Sequence, residues 1–409
     1  MYKMLRDIHR GMLPKVTNFA QDLVRIPSVS RDEERIAERI LQEMKTIGFD
    51  KILRDEWGNV VALLYGNESL PTVLLNSHMD TVDPGDGAAW KESPCSGRIE
   101  NGRLYGVGAS DCKGGLAAQL YAGALLKRSL LPLRGNLVIA ATVAEQNGRG
   151  VGVRGLLEHT LPSLELKPDY AILGEPTGLG LYYGHDGWLE LEIKVQGRNP
   201  FKVEDAARAI LEETVQNRGV SPKKKAFTEV AVREPVIEEQ NGIRRVTIQM
   251  ERRLGASEPA EEVMGQIKRD AVMAAQAAGG VAVDVAVRQE TQTMYTGQTR
   301  VVRHVCHAWA TDPFHPLLDR SRQALAAAGC RVAPGKWELG RLGMGTAGGT
   351  LVTEFHVPTI GYGPGNEETA HSVNEYAEIA NIHEAVYGTA VIIHGLIGIP
   401  VFGWTSDEI

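Results

Sequence analysis

Between residues 15 and 185, short apolar runs alternate with stretches of helical spacing. "TVLLNSHMD", "NLVIAATVAE" and "YAILGE" are apolar without alternation and end in turn signals, and "GGLAAQLYAGALLKR" lies between the first two. Strands that are apolar on both faces belong to sheets covered on both sides, and interleaved helices make such a sheet mostly parallel. The same texture returns near the C-terminus, where "HPLLDRSRQALAAAG" predicts a helix, "VPTIGYGPG" a strand and turn, and "ANIHEAVYGTAVIIHGLIG" a closing helix. The longest apolar stretch, "AVIIHGLIGIPVFGW" (390–404), contains His394 and Pro400 and falls short of the ~20 apolar residues of a membrane span. It reads as a buried helix followed by a turn.

The middle of the chain has a different period. "WLELEIKVQG" alternates as a half-buried strand does, and "EDAARAILEETVQNRG" has helical spacing. "AFTEVAVRE" and "IRRVTIQMERRL" are strand-like, "PAEEVMGQIKRDAVMAAQAAGG" is a helix, and "VAVDVAVRQ" is a strand. That β-α-β-β-α-β order is the unit of a small α+β sandwich. The expected architecture is therefore an α/β domain, a mostly parallel sheet covered by helices, formed by residues 1–186 and 306–409. An α+β domain, 187–305, is inserted between them. Such a unit leaves a sheet edge and a helical face to be covered, which predicts a homodimer through the insert.

Composition narrows the partners. A chain of 409 residues with net charge −7 is long enough for two or three domains of ~150 residues. The negative balance gives no reason to expect nucleic acid or an anionic membrane. The one compact basic run, Lys223-Lys224-Lys225, reads as a solvated loop. The first residues mix charges into the chain and show no secretory apolar run. The four cysteines, Cys95, Cys112, Cys306 and Cys330, form no CxxC pair, which argues against a disulfide framework or a zinc knot. A cytoplasmic protein is the expectation.

Polar residues with chemical potential stand where the predicted strands end. His78 and Asp80 follow "LLNS", Asp111 precedes the glycine-started helix, Glu145 and Gln146 end "ATVAEQ", Glu175 ends "YAILGE", and His371 lies in "GPGNEETAHSVNE". Ligands of open α/β sheets gather at the carboxyl ends of strands, and imidazole with carboxylate is the donor set of a metal centre. Each piece alone is more often a cap, a turn or a loop residue; their joint order carries the signal.

The segments "SHMDTVDPGD", "LYGVGASDCKGGLAA", "ATVAEQNGRGVG", "ILGEPT", "GWLELEIKVQGR" and "GYGPGNEETAHSVNEY" resemble the zinc hydrolases that include acetylornithine deacetylase, succinyl-diaminopimelate desuccinylase and carboxypeptidase G. "MYTGQ", Trp309 and "HPLL" are closest to the branch linked to selenium metabolism. The resemblance implies a zinc-exopeptidase-like fold whose insert is a lid or dimerisation domain. It implies His78 and Glu175 as ligands of one metal, Asp111 as the bridge to a second, and position 146 with His371 as the other ligands of that second metal. Glu145 becomes the general base of amide hydrolysis, and Asp80 holds the His78 ring and its tautomer. The metal is expected to be Zn²⁺ or another divalent ion such as Co²⁺ or Mn²⁺. The substrate is expected to be a small, carboxylate-bearing molecule: an N-acyl amino acid, short peptide or related metabolite.

Three positions depart from the family pattern. Position 146 is Gln, not a carboxylate, so one metal is expected to be held firmly at the His78 side and the second weakly or not at all. The insert reads "QGRNPFKVEDAARAI" where the family has a Gly-x-x-x-His-Ala-x-x-Pro segment, with Phe201 near the place of the missing histidine. "GHDGW" puts Asp186 where a basic residue is common. "ERRLG" keeps Arg252 and Arg253, which read equally well as receptors for a substrate carboxylate and as surface strand charges. Two classes of function stay open: a metal-dependent amide hydrolase, or a divergent relative that binds without turnover or uses the site for bond formation or elimination.

Overall fold

A computed structural model describes residues 1–146, 149–216, 230–256, 258–333, 341–342 and 344–399. The chain divides into two compact units: Met1–Gly184 with Gln292–Arg300 and Ala310–Ile409, and His185–Thr291 with Val301–Trp309.

The larger unit is built on a six-stranded sheet in the order Lys51–Arg54, Val60–Leu64, Asn136–Thr142, Thr72–His78, Tyr170–Leu173, Thr359–Gly361. The last four run parallel to one another, and the first two are added antiparallel at one edge. The register sets Thr72 against Asn136 and His78 against Thr142, so the ends of these strands open on the same side of the sheet. Thr72–His78 and Asn136–Thr142 are buried at every position, which is why their sequences show no alternation.

Helix Gly114–Ser129 is buried on nearly all sides, the pattern of a helix apolar all round. Ile379–Ile397 packs along it, as the apolar composition of the closing segment predicts. The helix approaches the sheet with no side chain between them. A Cβ on Gly115 would lie 1.7 Å from the carbonyl oxygen of Gly174, so only glycine allows this contact.

In the smaller unit, an antiparallel sheet runs Val230–Val232, Ile243–Leu254, Gly187–Gly197, Ala282–Val287. Gly187–Gly197 alternates buried and half-exposed positions along most of its length. Helices Pro200–Gln216 and Ala260–Ala277 pack together, and Leu191, Ile193, Val203, Ile248, Ala271 and Val285 lie in their common core. Among the described residues the β-α-β-β-α-β order is present with two additions, Val305–Cys306 along Gly187–Gly197 and the hairpin partner Val236–Gln240 along Ile243–Leu254. The hairpin partner's residues are exposed throughout, so no apolar period announced it. The segment Gln292–Arg300, read from sequence as part of the insert, clusters with the larger unit. There Tyr295 donates its hydroxyl to the Gly58 carbonyl at 2.8 Å, and Arg300 pairs with both Glu158 oxygens at 2.7 and 2.8 Å.

Candidate metal centre

His78 is the last residue of its strand, Glu145 follows Asn136–Thr142 by three positions, and Glu175 follows Tyr170–Leu173 by two. Parallel pairing therefore delivers all of them to one rim. Asp111 comes from the turn that opens helix Gly114–Ser129. Donor atoms of His78, Asp111, Cys112 and Glu175 lie within 4.8 Å of one another, and all four residues are buried.

Asp111 is the centre of this group. Its Oδ1 lies 3.2 Å from His78 Nε2, and its Oδ2 lies 2.7 Å from His371 Nε2. The Gln146 side-chain Nε2 donates to the same Oδ2 at 2.7 Å. His78 Nδ1 is 2.8 Å from the main-chain oxygen of Asp80. Donation to that carbonyl uses Nδ1 and leaves Nε2, the nitrogen a ligating imidazole would offer, facing Asp111.

The electrostatics fit a bound cation. Burial raises Glu175, and the negative charge of Asp111 beside it raises it further, well above the ordinary range. Burial also pushes Asp111 upward, but the His78 and His371 imidazoles outweigh it and hold the carboxyl below its usual range. Buried carboxylates that repel one another and lie next to imidazole nitrogens are a donor set that a dication neutralises. Glu145, half-buried on the neighbouring turn, is pushed up to about 7, first by desolvation and then by Asp80 and Asp111, against the opposing pull of His78.

Asp80 touches the His78 ring and also holds the turn that carries Glu145. The His78 ring is held by the Asp80 carbonyl, while its nearest carboxylate oxygen lies at 3.6 Å. The carboxylate accepts the backbone N–H groups of Glu145 and Gln146 at 3.0 and 2.9 Å, and the Ser30 hydroxyl. Glu375 grips the opposite side. Its oxygens accept the N–H groups of Gly108, Ser110 and Asp111 at 3.1, 2.8 and 3.0 Å, fixing the Asp111 turn to the segment that carries His371. Sequence reading missed Ser30, Cys112 and Glu375. Glu375 alone left a signal, an acid four positions after His371.

The family model of Peptidase family M20/M25/M40 matches residues 74–394. The chain belongs to this family. Family M20 members are metal-dependent hydrolases of amide bonds in peptides and acyl amino acids, and membership supports hydrolysis over a binding scaffold. The uncharacterized protein YgeY of Escherichia coli K12 is 27% identical over 394 residues, covering 91% of this chain and 92% of that one. The succinyl-diaminopimelate desuccinylase of Rhodospirillum centenum is 34% identical over 172 residues, covering 41% of this chain and 44% of the relative. Among solved structures, the YXEP protein of Bacillus subtilis, described as a dinuclear metal-binding peptidase of family M20, shares the fold. Its TM-score is 0.67 at 15% identity, covering 95% of this chain and 99% of that chain.

Two of the expected site residues lie in the smaller unit. Arg252 pairs with Glu258 at 2.9 Å, and the Arg253 guanidinium lies 5.3 Å over the Trp188 ring. Phe201 is 79% exposed. His185 is fully buried, with Nδ1 2.8 Å from the Asp186 carbonyl oxygen, and His304 sits between Glu190 and Glu290 at 3.2 and 3.3 Å. Among the described residues, no helix is long and apolar enough to cross a membrane.

Proposed function

We propose that this M20 chain hydrolyses the amide bond of a small, carboxylate-bearing substrate, an N-acyl amino acid or short peptide. His78, Asp111 and Glu175 hold one divalent cation, zinc or a substitute such as cobalt or manganese. When bound, such a cation acts as a Lewis acid and brings the pKa of water towards ~7. The observation that carries the reading is the buried donor cluster together with Glu145 on the neighbouring turn, whose amide is held by the Asp80 carboxylate at 3.0 Å.

A general base works best with a pKa near the working pH. Glu145 takes a proton from the attacking water as its oxygen adds to the amide carbon. It returns the proton to the nitrogen as the C–N bond breaks. Asp80 aims the turn carrying Glu145, and the Asp80 carbonyl orients His78. A second cation would face Asp111, His371 and the uncharged Gln146, a poorer set, so we assign it weak or no occupancy. Arg252 and Arg253 are the proposed receptors for the substrate carboxylate, and Glu258 is the group the substrate would displace from Arg252. The smaller unit is proposed as the lid and as the homodimer contact. We place the protein in the cytoplasm, in keeping with four cysteines that form no CxxC pair in the sequence.

The test is metal analysis of the purified protein combined with a turnover screen on N-acyl amino acids and dipeptides, before and after chelation. Turnover lost to the chelator and restored by zinc, cobalt or manganese is the expected result. Protein that holds no metal and turns over none of these substrates would overturn the proposal.

A further inference from the structure

Glu33 is the residue before helix Glu34–Ile47, and in sequence it looks like an ordinary acidic helix start. Its side chain is nevertheless fully buried, a rare state for a glutamate unless something holds it there. The approach is made by the segment before it. Val29 pairs in parallel with Thr81, and the Ser28 hydroxyl donates to the Met79 carbonyl at 2.9 Å. This lays residues 28–33 under the strand end that carries His78.

Glu33 Oε1 accepts the backbone N–H of Ala144 at 2.9 Å. The next two N–H groups, of Glu145 and Gln146, go to the two oxygens of Asp80. Two buried carboxyl groups thus receive three successive amides of one turn. Ala144 has a φ of 50°, left-handed backbone that a side-chain-bearing residue keeps only when its surroundings impose it. Glu33 Oε2 meets no hydrogen-bond partner among the described residues.

We propose that Glu33 is a positioning residue for catalysis: by fixing the Ala144 amide it sets the direction in which the Glu145 carboxyl points. The inference rests on Glu145 as the base. Burial, and then the charge of Asp80, push Glu33 up to about 8, so at neutral pH it is an uncharged acid. Glutamine matches that form in shape and in its accepting oxygen, whereas alanine and aspartate do not reach the Ala144 amide.

The experiment compares Glu33→Ala, Glu33→Asp and Glu33→Gln with wild type in the full-length, metal-loaded protein. It reads kcat and KM on the best N-acyl amino acid or dipeptide of the screen, metal content, and backbone hydrogen exchange across residues 143–146. Glu33→Ala and Glu33→Asp are expected to lower kcat by roughly 10- to 100-fold, the scale of an ångström-level misplacement. KM and metal content should hold while exchange across 143–146 quickens, and Glu33→Gln should restore both readouts. A purely structural support would lower thermal stability and leave kcat per folded molecule unchanged. That result, or a Glu33→Gln variant as impaired as Glu33→Asp, overturns the proposal. If Glu33→Ala does not fold, the aspartate and glutamine variants make the same division, and exchange decides where no substrate is turned over. Glu145→Gln is assayed alongside. If it keeps turnover, the base assignment fails; if it is inactive while Glu33→Asp is fully active, only the role of Glu33 fails.

Discussion

Gln146 and His371 meet on one oxygen, each placing a nitrogen 2.7 Å from Oδ2 of Asp111. In this arrangement the Gln146 amide points its N–H at the carboxylate. To ligate a cation there it would have to turn its oxygen inward, and it would still bring no charge. Zinc favours anionic oxygen or neutral imidazole. We expect about one metal per chain after dialysis of wild type, rising towards two in Gln146→Glu. Two metals held equally firmly in wild type would contradict this.

Glu145→Gln removes the proton acceptor and leaves the donors of the first metal in place. Hydrolysis should fall at least ~100-fold, the lower end of what general base catalysis contributes, while metal content stays near that of wild type. A variant that loses its metal, or remains active, would show that the roles at 145 and 146 are misassigned.

The missing lid histidine has a kinetic consequence. Losing one donor to the developing oxyanion typically costs ~100- to 1000-fold in rate, and of the three histidines that could replace it, His185, His304 and His307, the first two are already engaged within the smaller unit. Turnover of simple N-acetyl amino acids should therefore be slow by that factor against ordinary aminoacylases. Rates equal to theirs would reveal a replacement donor.

The strand ends were legible because the sheet is covered on both faces. Unbroken apolar runs marked the strands, and the residues at or just past their ends, His78, Glu145 and Glu175, had to share a rim. Asp111 and His371 followed from the family pattern. What escaped was side chain to main chain contact. Nothing in "SVSRDEER" distinguishes Glu33 from its solvated neighbours, and the spacing of His78 and Asp80 cannot say that the Asp80 carbonyl lies nearer the ring than its carboxylate does. The exposed strand Val236–Gln240 has no apolar face to betray it.

Glu33 also makes stability depend on pH. Its proton affinity rises on folding from an ordinary 4.5 to about 8, so between these values the folded chain keeps a proton that the unfolded chain has lost. Its contribution is complete below about 4.5 and disappears as pH rises through about 8. The melting temperature of wild type relative to Glu33→Gln should fall across that window and level off above it. A difference that stays flat with pH would mean that Glu33 is ionised in the folded protein.

The sheet edge and helices of the smaller unit predict a homodimer. Light scattering at micromolar concentration should give twice the chain mass. A monomer would reject the assignment.

Asp111 and His371 stand 260 positions apart in the chain. During synthesis the ribosome delivers His78, Asp111 and Glu175 early, whereas His371 and the Glu375 clamp emerge only after the smaller unit has been made. The nascent chain thus carries the three residues proposed for the first cation well before the histidine proposed for the second has been made. The turn that carries Asp111 receives the Glu375 carboxyl that fixes its amides only at the closing stretch of translation.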